Sequence, residues 1–559
     1  MKNLKVKDKF EHVFLEAESL FKNNEWEKAL LKYKSLLKTR PHSRHLLFQI
    51  ALVCNQLEDY VGAYKYLNQL ISKNPNDADA LTNLAVICTR LSLLDDAVRF
   101  FELALLNKPN NLICLINLAG IYNLKEEYGN ALNCYKEALK IDSLDANLYL
   151  MLGITLVKLN QLETAKIIFE TALTFDPTIE EVKFNIAIID YKNKNFSKSI
   201  EVLEDLLTNT TSINEINSIS IESIKFCLAL NCLSVGRLSD GWRYYDSGLH
   251  ASISPEFRRN PIRSFAVPMW DGKINLNKTI LIWAEQGLGD EIMYASCIPD
   301  LINSGIKIII ECDKRLVPIF KRSFPQALEC RETSYDNTPS KKSIYTDFDF
   351  HLPFGSLMKL YRNNLDDFND SPVYLKVNDN IKEKLNCRAE FNQSSKIKIG
   401  ISWRSGKLNP ERNDHYTSLV DWKSIFEIND LQFFNLQYGN CNLEIIEVEK
   451  LYNIKIIRYD DINLQNNLES TLALISNLDL VITINTAVRS LAASIGIPVL
   501  LMGLQDYENF GTNYYPFHPR IKFFTPLSGG SVSECISDVK RSIEEFKVLK
   551  IKNESSKFI

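Results

Sequence analysis

TILIWAEQGLGDEIMYASCIP, residues 279–299, is the stretch of sequence from which the fold can be read. Its first six residues form a largely apolar run of strand length. Two glycines and an acid follow, and apolar residues then recur at helical spacing. The stretch predicts a strand, a tight turn closed by Asp290, and a helix. Open α/β sheets bind their ligands at such turns, beyond the carboxyl ends of strands.

The chain continues beyond this turn as alternating strands and helices. Further strands are predicted at 306–311, from Lys396, at 433–437, 454–459 and 480–484, and from Pro498, and helices at 313–323 and 533–546. This alternation predicts parallel sheets joined by right-handed crossovers.

Composition limits the classes of protein to consider. A chain of 559 residues with 45% hydrophobic and 24% charged residues is expected to form several globular domains. The net charge of −4, without a block of like charge, argues against nucleic acid as a partner. Twelve cysteines without a C-x-x-C pair, and no apolar stretch near the amino terminus, indicate reduced thiols and a cytoplasmic protein. No apolar run approaches the ~18 residues of a membrane span.

The amino-terminal half repeats itself at a constant interval. Small residues recur at Ala17, Ala51, Ala85, Ala119, Gly153 and Ala187, and again at Ala29, Ala63, Ala97, Ala131, Ala165 and Ser199. Large apolar residues recur at Tyr33, Leu67, Phe101, Tyr135, Phe169 and Leu203. Small residues let two antiparallel helices approach closely, and the large residue fills the space between hairpins. A seventh, degenerate unit follows a polar insertion, Thr208–Ser220, which is predicted to be a loop and places Ala229 and Gly241 later in the chain than the constant interval requires.

The repeat resembles the tetratricopeptide repeat, which implies an all-α solenoid over residues 1–250. One column within it holds amides: Gln49, Asn83, Asn117 and Asn185, with Met151 in the remaining place. The resemblance places this column on the concave face, where amides could bind the backbone of an extended peptide. Nucleocytoplasmic O-linked N-acetylglucosamine transferases carry a similar asparagine ladder. Asparagine is also common at this repeat position for structural reasons, so both interpretations stay open.

Two functions compete for the turn at Asp290. Gly287 and Gly289, with Glu311 ending the next strand, are typical of a dinucleotide fingerprint, but Ile292 stands where the third glycine belongs. The alternative comes from resemblance. WAEQGLGDEI, preceded by MWDGK, resembles the opening of the glycosyltransferase domain in bacterial tetratricopeptide–glycosyltransferase fusions, which are related to the heptosyltransferases of glycosyltransferase family 9.

The resemblance implies a GT-B fold, in which two Rossmann-like lobes face a cleft. The expected domains are a linker at 251–277, an acceptor-side lobe at 278–385, a nucleotide-sugar lobe at 386–548 and a tail at 549–559. Asp290 matches the proposed catalytic base of the family, within an acceptor-side loop formed by Glu285, Gln286, Gly287 and Gly289. An acid at this place also suits a helix N-cap, and the two roles are compatible. With the ordinary pKa of a carboxyl, about 4, this base would be ionised at neutral pH but weak.

The second lobe supplies candidate donor-binding residues. The segment ISWRSG ends a strand in a loop whose arginine and glycine suit a phosphate, and a turn at Gln437 and Tyr438 follows the next strand. The segment LVITINTAVRSLAAS joins a strand to a helix whose free amides suit a pyrophosphate. The predicted donor site is Ser402, Arg404, Ser405, Gly406, Gln437, Tyr438, Asn485, Thr486 and Ala487. Family members commonly show D-T-A-x-x-H here, so Asn485 and Ser490 are departures that bear on the donor and on activity. A buried α/β turn without a ligand is the structural alternative.

No metal site is predicted, although Asp347 and Asp349 form an Asp-x-Asp pair that is typical of another glycosyltransferase fold. The sequence thus favours a metal-independent, cofactor-free glycosyltransferase. It would move a sugar from a nucleoside diphosphate sugar to an acceptor held by the repeats, and the expected acceptor is a protein hydroxyl. An inactive scaffold with vestigial GT-B lobes is the alternative, and a nucleotide-sugar epimerase is a third option.

Overall fold

The computed structural model describes residues 2–209, 219–253, 258–334, 341–368, 373–392, 395–405, 415–527 and 530–552, with side chains from residue 10 onward except that of Asn392. The chain divides into two compact units, Met1–Asn193 and Lys194–Ile559. The boundary thus lies within the predicted repeat array, and the last helices of the array belong to the second unit. No helix in these ranges is long and apolar enough to cross a lipid bilayer.

The first unit consists of helices joined by short turns. They are α1 (Lys2–Lys22), α2 (Trp26–Leu37), α3 (Arg44–Gln56), α4 (Tyr60–Ile71), α5 (Ala78–Arg90), α6 (Leu94–Asn107), α7 (Leu112–Leu124), α8 (Tyr128–Ile141), α9 (Ala146–Lys158), α10 (Leu162–Phe175) and α11 (Glu180–Lys192). The helices pack as successive antiparallel pairs, such as α5 with α6 and α7 with α8. The predicted all-helical solenoid is confirmed.

The period of the sequence reappears in the backbone and in the core of this unit. Alanines of both small-residue columns are at most 2% exposed, so they do lie where paired helices touch. The residues that cap α3, α5, α7 and α9 with their side chains recur at the same interval: Ser43, Asp77, Asn111 and Asp145. The turn inside each pair contains a residue with positive φ: Asn24, Glu58, Ser92, Glu126 and Asn160.

The second unit begins with α12 (Phe196–Asn209), α13 (Ile221–Ser234) and α14 (Leu238–Tyr245). The positive-φ position recurs at Lys194 and then at Gly236, and the interval between these two is lengthened just as the insertion in the degenerate repeat predicts. Most of the predicted polar insertion lies outside the described residues. Its first two residues, Thr208 and Asn209, are helical rather than part of a loop.

Lobe 1 contains a parallel sheet with the strand order β3-β2-β1-β4. Its elements are β1 (Thr279–Trp283), α15 (Leu288–Tyr294), α16 (Ile298–Asn303), β2 (Lys307–Cys312), α17 (Val317–Ser323), β3 (Glu329–Glu332), β4 (Phe350–Pro353) and α18 (Met358–Tyr361). Two further helices, α19 (Asp379–Asn386) and α20 (Ala389–Asn392), lead to the next lobe and pack on its elements. The register pairs Trp283 with Glu311 and with Pro353, so the carboxyl ends of β1, β2 and β4 lie side by side.

Lobe 2 contains a second parallel sheet with the order β10-β9-β8-β5-β6-β7. Its elements are β5 (Ile397–Ser402), α21 (Lys423–Phe426), β6 (Leu431–Asn435), α22 (Asn442–Tyr452), β7 (Ile456–Ile457), α23 (Leu468–Ile475), β8 (Leu480–Ile484), α24 (Ala487–Ser494), β9 (Val499–Met502), β10 (Ile521–Phe524) and α25 (Ile536–Ile551). Both sheets thus have the doubly wound order, which reverses beside the first strand of each lobe. The predicted α/β region with parallel sheets is confirmed.

The segment predicted as a linker carries some buried side chains. Arg259 is fully buried and Trp270 is 3% exposed. Arg259 forms an ion pair with Glu285, just beyond β1, and Arg263 forms one with Glu311 in β2. Buried acids at strand ends need cationic partners, and the linker supplies them.

Candidate functional site

A cavity of about 460 Å³ lies between the two lobes of the second unit, at the carboxyl edges of both sheets. It is lined by Gly287, Leu288, Gly289, Asp290, Arg315, Ser405, Tyr438, Gly439, Leu464, Gln465, Leu468, Thr471, Asn485, Thr486, Ala487, Val488, Arg489 and Leu491. The structure therefore brings together Asp290, two glycines of its loop, and five predicted donor residues: Ser405, Tyr438, Asn485, Thr486 and Ala487.

The turn after β1 holds Asp290 in the first turn of α15. Asp290 Oδ2 accepts the N–H of Gly287 at 2.9 Å, which fixes the carboxyl at the helix start. Its other oxygen, Oδ1, makes no hydrogen bond to the residues that the structure describes. Gly289 lies against α24: a Cβ added to it would stand 3.5 Å from Ala487 Cα, so the two helix starts meet almost backbone to backbone. Asp290 thus combines the structural role of a helix start with a place in the cavity lining.

A cluster of acids surrounds the guanidinium of Arg489, which is 2% exposed. Arg489 Nη1 lies 3.0 Å from Glu508 Oε2, and the same oxygen accepts the Tyr515 hydroxyl at 2.6 Å. Asp506 lies beside them, with Oδ2 3.5 Å from the Asn485 amide nitrogen.

This cluster changes the acidity of Asp290. Burial of its carboxyl raises the pKa of Asp290 to about 7, the negative charge of Glu508 adds to the rise, and Arg489 opposes it. Burial and Glu508 likewise raise the pKa of Asp506 to about 7. The expectation of an ordinary carboxyl with a pKa near 4 was therefore wrong. A base with a pKa near neutral pH accepts a proton more readily than an unperturbed carboxylate.

The start of α24 faces the same cavity from lobe 2. Its N-cap residue, Thr486, makes no side-chain cap, and its hydroxyl instead lies 3.3 Å from that of Thr483. The first N–H groups of the helix, at Ala487 and Val488, are therefore left for another acceptor. Free amides at a positive helix end suit an anion.

A second, more polar chamber of about 320 Å³ adjoins the cavity at the ends of β6 and β7. Four residues line both spaces: Tyr438, Gly439, Leu464 and Gln465. The remaining lining of the second chamber includes Asn442, Arg458, Asp460 and Asn463. The two chambers together have the size and the hydrogen-bonding groups to hold a polar ligand in two parts.

Two residues of the predicted acceptor-side loop lie elsewhere. The Glu285 carboxylate is 1% exposed; it pairs with Arg259 and accepts the N–H of Gly355 at 2.9 Å. Gln286 is exposed in a left-handed conformation with φ 62° and is not part of the cavity lining. Glu285 therefore holds the base of the loop in place, because its charge is already paired.

Most residues of the predicted phosphate loop after β5 also form hydrogen bonds with other side chains of lobe 2. Arg404 donates to the Glu444 carboxylate, through Nε at 3.0 Å and through Nη2, and does not line the cavity. Gln437 Oε1 accepts the N–H groups of Trp403 and Arg404 at 3.1 and 3.0 Å and the hydroxyl of the buried Ser402 at 3.3 Å. The loop amides that would bind a phosphate are thus occupied by a side chain. Gly406 lies outside the described residues.

The remaining acids singled out in lobe 1 each have a cationic partner. Glu311, the acid of the dinucleotide interpretation, is buried against Arg263 at 2.6 Å. Asp347 accepts two hydrogen bonds from Arg331, and Asp349 pairs with Lys278 at 2.8 Å. A ribose hydroxyl or a metal ion at these places would have to displace an ion pair. The described residues include no group of three or more acids, histidines or cysteines that could hold a metal.

The sequence did not reveal Arg315 or Glu508 as site residues. Arg315 follows the end of β2 and lines the cavity, and Glu508 follows the end of β9 and pairs with the lining residue Arg489. Attention to every strand end, rather than to the glycine turns alone, would have found them.

The amide column of the first unit is bonded mostly within its own helices. The side-chain nitrogens of Asn83, Asn117 and Asn185 donate to the carbonyls of Asp79, Ile113 and Glu181, one helical turn earlier, at 2.7–2.9 Å. Gln49 Oε1 is buried without a partner among the described residues. One N–H of each of these amides is therefore engaged within its own helix.

Comparison with known proteins concerns mainly the helical array. Four sequence-family models, described as tetratricopeptide repeat or TPR repeat, match residues 14–71, 55–113, 120–160 and 146–179. The array is built of tetratricopeptide repeats. Such repeats generally bind protein or peptide partners.

Solved structures resemble part of the chain. MamA from Desulfovibrio magneticus RS-1 is 18% identical, with a TM-score of 0.29, and covers 30% of this chain and 97% of its own. YrrB, a TPR protein with an unusual peptide-binding site, is 16% identical, with a TM-score of 0.30, and covers 32% of this chain and 93% of its own.

A curated relative extends beyond the repeats. Protein FlbA of Caulobacter vibrioides is 25% identical over 430 residues, which cover 74% of this chain and 70% of FlbA. Because the helical array ends before residue 250, an alignment of this length includes a large part of the α/β region.

Proposed function

We propose that the chain is a glycosyltransferase that moves a sugar from a nucleoside diphosphate sugar to a hydroxyl of a protein acceptor, which the tetratricopeptide repeats recruit. The observation that carries the proposal is the cavity between the lobes, where a carboxyl of raised pKa from lobe 1 faces an uncapped helix start from lobe 2. These two groups match the two needs of sugar transfer: a base for the acceptor and an anion site for the leaving group.

In the proposed reaction the acceptor oxygen forms a bond to the anomeric carbon while the bond from that carbon to the diphosphate oxygen breaks. Asp290 takes the proton of the acceptor hydroxyl. The N–H groups of Ala487 and Val488 stabilise the negative charge that grows on the departing diphosphate. The reaction needs no metal ion, because the helix start supplies the charge stabilisation.

The adjoining chamber suits the nucleoside. It lies at the ends of β6 and β7, and Asn442, Arg458, Asp460 and Asn463 offer donors and acceptors for a base and a ribose. A diphosphate at the wall shared by the two chambers would then leave the sugar beside Asp290.

The test begins with nucleotide binding. Isothermal titration against UDP, GDP, ADP and CDP is expected to reveal one preferred nucleoside diphosphate, and its sugars then serve as donors. Asp290→Asn is expected to reduce transfer at least 100-fold while leaving nucleotide affinity within about twofold, because the residue acts on the acceptor. Asp349→Asn, in the same lobe but paired with Lys278 outside the cavity, is the control. Near-normal transfer by the Asp290→Asn protein would remove Asp290 as the base.

A second candidate is a scaffold whose lobes no longer catalyse. It is favoured by the loop after β5, where Glu444 neutralises Arg404 and Gln437 occupies the backbone amides. On this alternative the protein binds its partner without any affinity for nucleotides, and the titration above separates the two functions.

A further inference from the structure

Arg315 lies in the turn between β2 and α17 and lines the cavity from lobe 1. Its Nε and Nη2 donate to the two oxygens of Asp313, each at 2.8 Å, so the plane of the guanidinium is fixed. The third corner, Nη1, reaches across to lobe 2 and donates to the carbonyl of Gln465 at 2.9 Å.

This contact stands where the two chambers meet. Gln465 belongs to the wall that the chambers share, and Arg315 lines the larger of them. A ligand whose parts occupy both chambers must pass this point.

Arg315 and Arg489 both line the cavity, but their guanidinium groups have different hydrogen-bond partners. Arg489 is buried, its Nη1 is paired with Glu508, and its guanidinium lies 4.4 Å from the centre of the Tyr515 ring. Arg315 is partly exposed, and its Nη1 is bound to a neutral carbonyl. Exchange of that carbonyl for a phosphate oxygen replaces a hydrogen bond to a neutral acceptor with one in which the acceptor also carries a charge, so the arginine gains an ion pair.

We propose that Arg315 binds the diphosphate of the donor from lobe 1, through an Nη1 that exchanges the carbonyl of Gln465 for a phosphate oxygen. This inference rests on the proposed function. It adds that the diphosphate is held by both lobes, by Arg315 on one side and by the start of α24 on the other, and that Asp313 positions the arginine.

The experiment compares variants of the full chain by isothermal titration with inorganic pyrophosphate, with the preferred nucleoside diphosphate and with the corresponding nucleoside. Arg315→Met removes the charge and Arg315→Lys retains it. Arg322→Met is the matched control, because Arg322 also reaches lobe 2, through Glu469 at 3.0 Å, but does not line the cavity. Thermal unfolding of each unliganded variant measures any loss of structure.

Arg315→Met is expected to weaken pyrophosphate and nucleoside diphosphate binding at least tenfold and to leave nucleoside binding within twofold. Arg315→Lys recovers part of the loss, and Arg322→Met binds as the unmodified protein does. Unchanged pyrophosphate affinity in Arg315→Met, or an equal loss in Arg322→Met, overturns the role of Arg315 and leaves the proposed function standing. Failure of the unmodified protein to bind any nucleoside diphosphate overturns both.

Discussion

Asp290 shows how one residue acquires its chemistry from neighbours that are distant in sequence. The carboxyl is fixed by a local hydrogen bond to Gly287, whereas its acidity depends on burial and on Glu508, which lies far along the chain in lobe 2. The local sequence pattern therefore predicts the position of Asp290 but not its pKa.

The pH dependence of transfer follows from this environment. A base must be deprotonated, so the rate is expected to rise with pH and to level off above about pH 7, the raised pKa of Asp290. Glu508→Gln removes the charge that raises this pKa and leaves Arg489 to lower it. The midpoint of the pH profile should therefore move down by about one unit. Transfer rates measured between pH 5 and 9 test this; a profile of the variant that superimposes on that of the unmodified protein would contradict it.

Glu291, the next residue, gives a prediction on stability. Burial raises the pKa of its carboxyl to about 8, although it accepts the N–H of Asp313 at 2.9 Å. The folded protein keeps this proton up to about pH 8, whereas the unfolded chain releases it near pH 4.5. The folded state thus binds more protons in this window and loses stability as the pH rises, by up to about 1.4 kcal/mol per pH unit.

Glu291→Gln removes that titration and can still accept the hydrogen bond. The variant should therefore unfold at a higher temperature than the unmodified protein at pH 8, and the advantage should shrink towards pH 5. Melting temperatures measured at both values provide the comparison. An advantage that is the same at both would mean that Glu291 is ionised in the folded state.

At the scale of single elements, two glycines within repeat helices should respond oppositely to the same change. A Cβ added to Gly153 in α9 would stand 2.3 Å from the ring of the buried Phe169, whereas one added to Gly120 in α7 would meet nothing within 4 Å. Gly153→Ala is expected to destabilise the array by about 1–3 kcal/mol through overpacking. Gly120→Ala should stabilise it by about 0.5–1 kcal/mol through helix propensity. Urea unfolding of the two variants checks the signs, and stabilisation by both would mean that the space beside Gly153 is larger than described.

The helices and strands that could be predicted are those whose own hydrophobic pattern determines their type and position. β8 lies where it was predicted, at Leu480–Ile484, because five buried residues in a row leave little choice of register. β3, with the sequence ECRE, went unpredicted, since it lies at a sheet edge where Arg331 pairs with Asp347. The residues of the candidate site also fall into those that their own segment predicts and those that it does not. Asp290 and the Asn485–Ala487 turn lie in strand–turn–helix sequence patterns that could be located, whereas Arg315 and Glu508 follow strands in segments without such a sequence pattern.

At the scale of the whole molecule, the hairpin of α13 and α14 joins the two lobes. Trp242 donates its indole N–H to the carbonyl of Arg362 in lobe 1 at 2.8 Å, and its ring packs against Phe510 of lobe 2, with centroids 5.8 Å apart. The Tyr245 hydroxyl lies 3.0 Å from that of Tyr294 in α15. A single hydrophobic core runs from this hairpin through lobe 1 to α23 and α24. The last repeat is therefore part of the α/β unit rather than its neighbour.

This continuity predicts where the chain can be shortened. A fragment of residues 194–559 keeps the hairpin and should fold and bind nucleotide as the full chain does. A fragment of residues 251–559, which begins at the boundary expected from the repeat pattern, lacks Trp242 and Tyr245 and leaves Phe510 and Tyr294 partly uncovered. Loss of one large buried aromatic residue alone costs about 3–5 kcal/mol, a large share of the stability of most domains. Size-exclusion chromatography and thermal unfolding should therefore find the longer fragment monodisperse and cooperative and the shorter one aggregated or unfolded. If the two fragments had the same melting temperature, the lobes would be stable without the hairpin, and the hairpin would be an independent repeat.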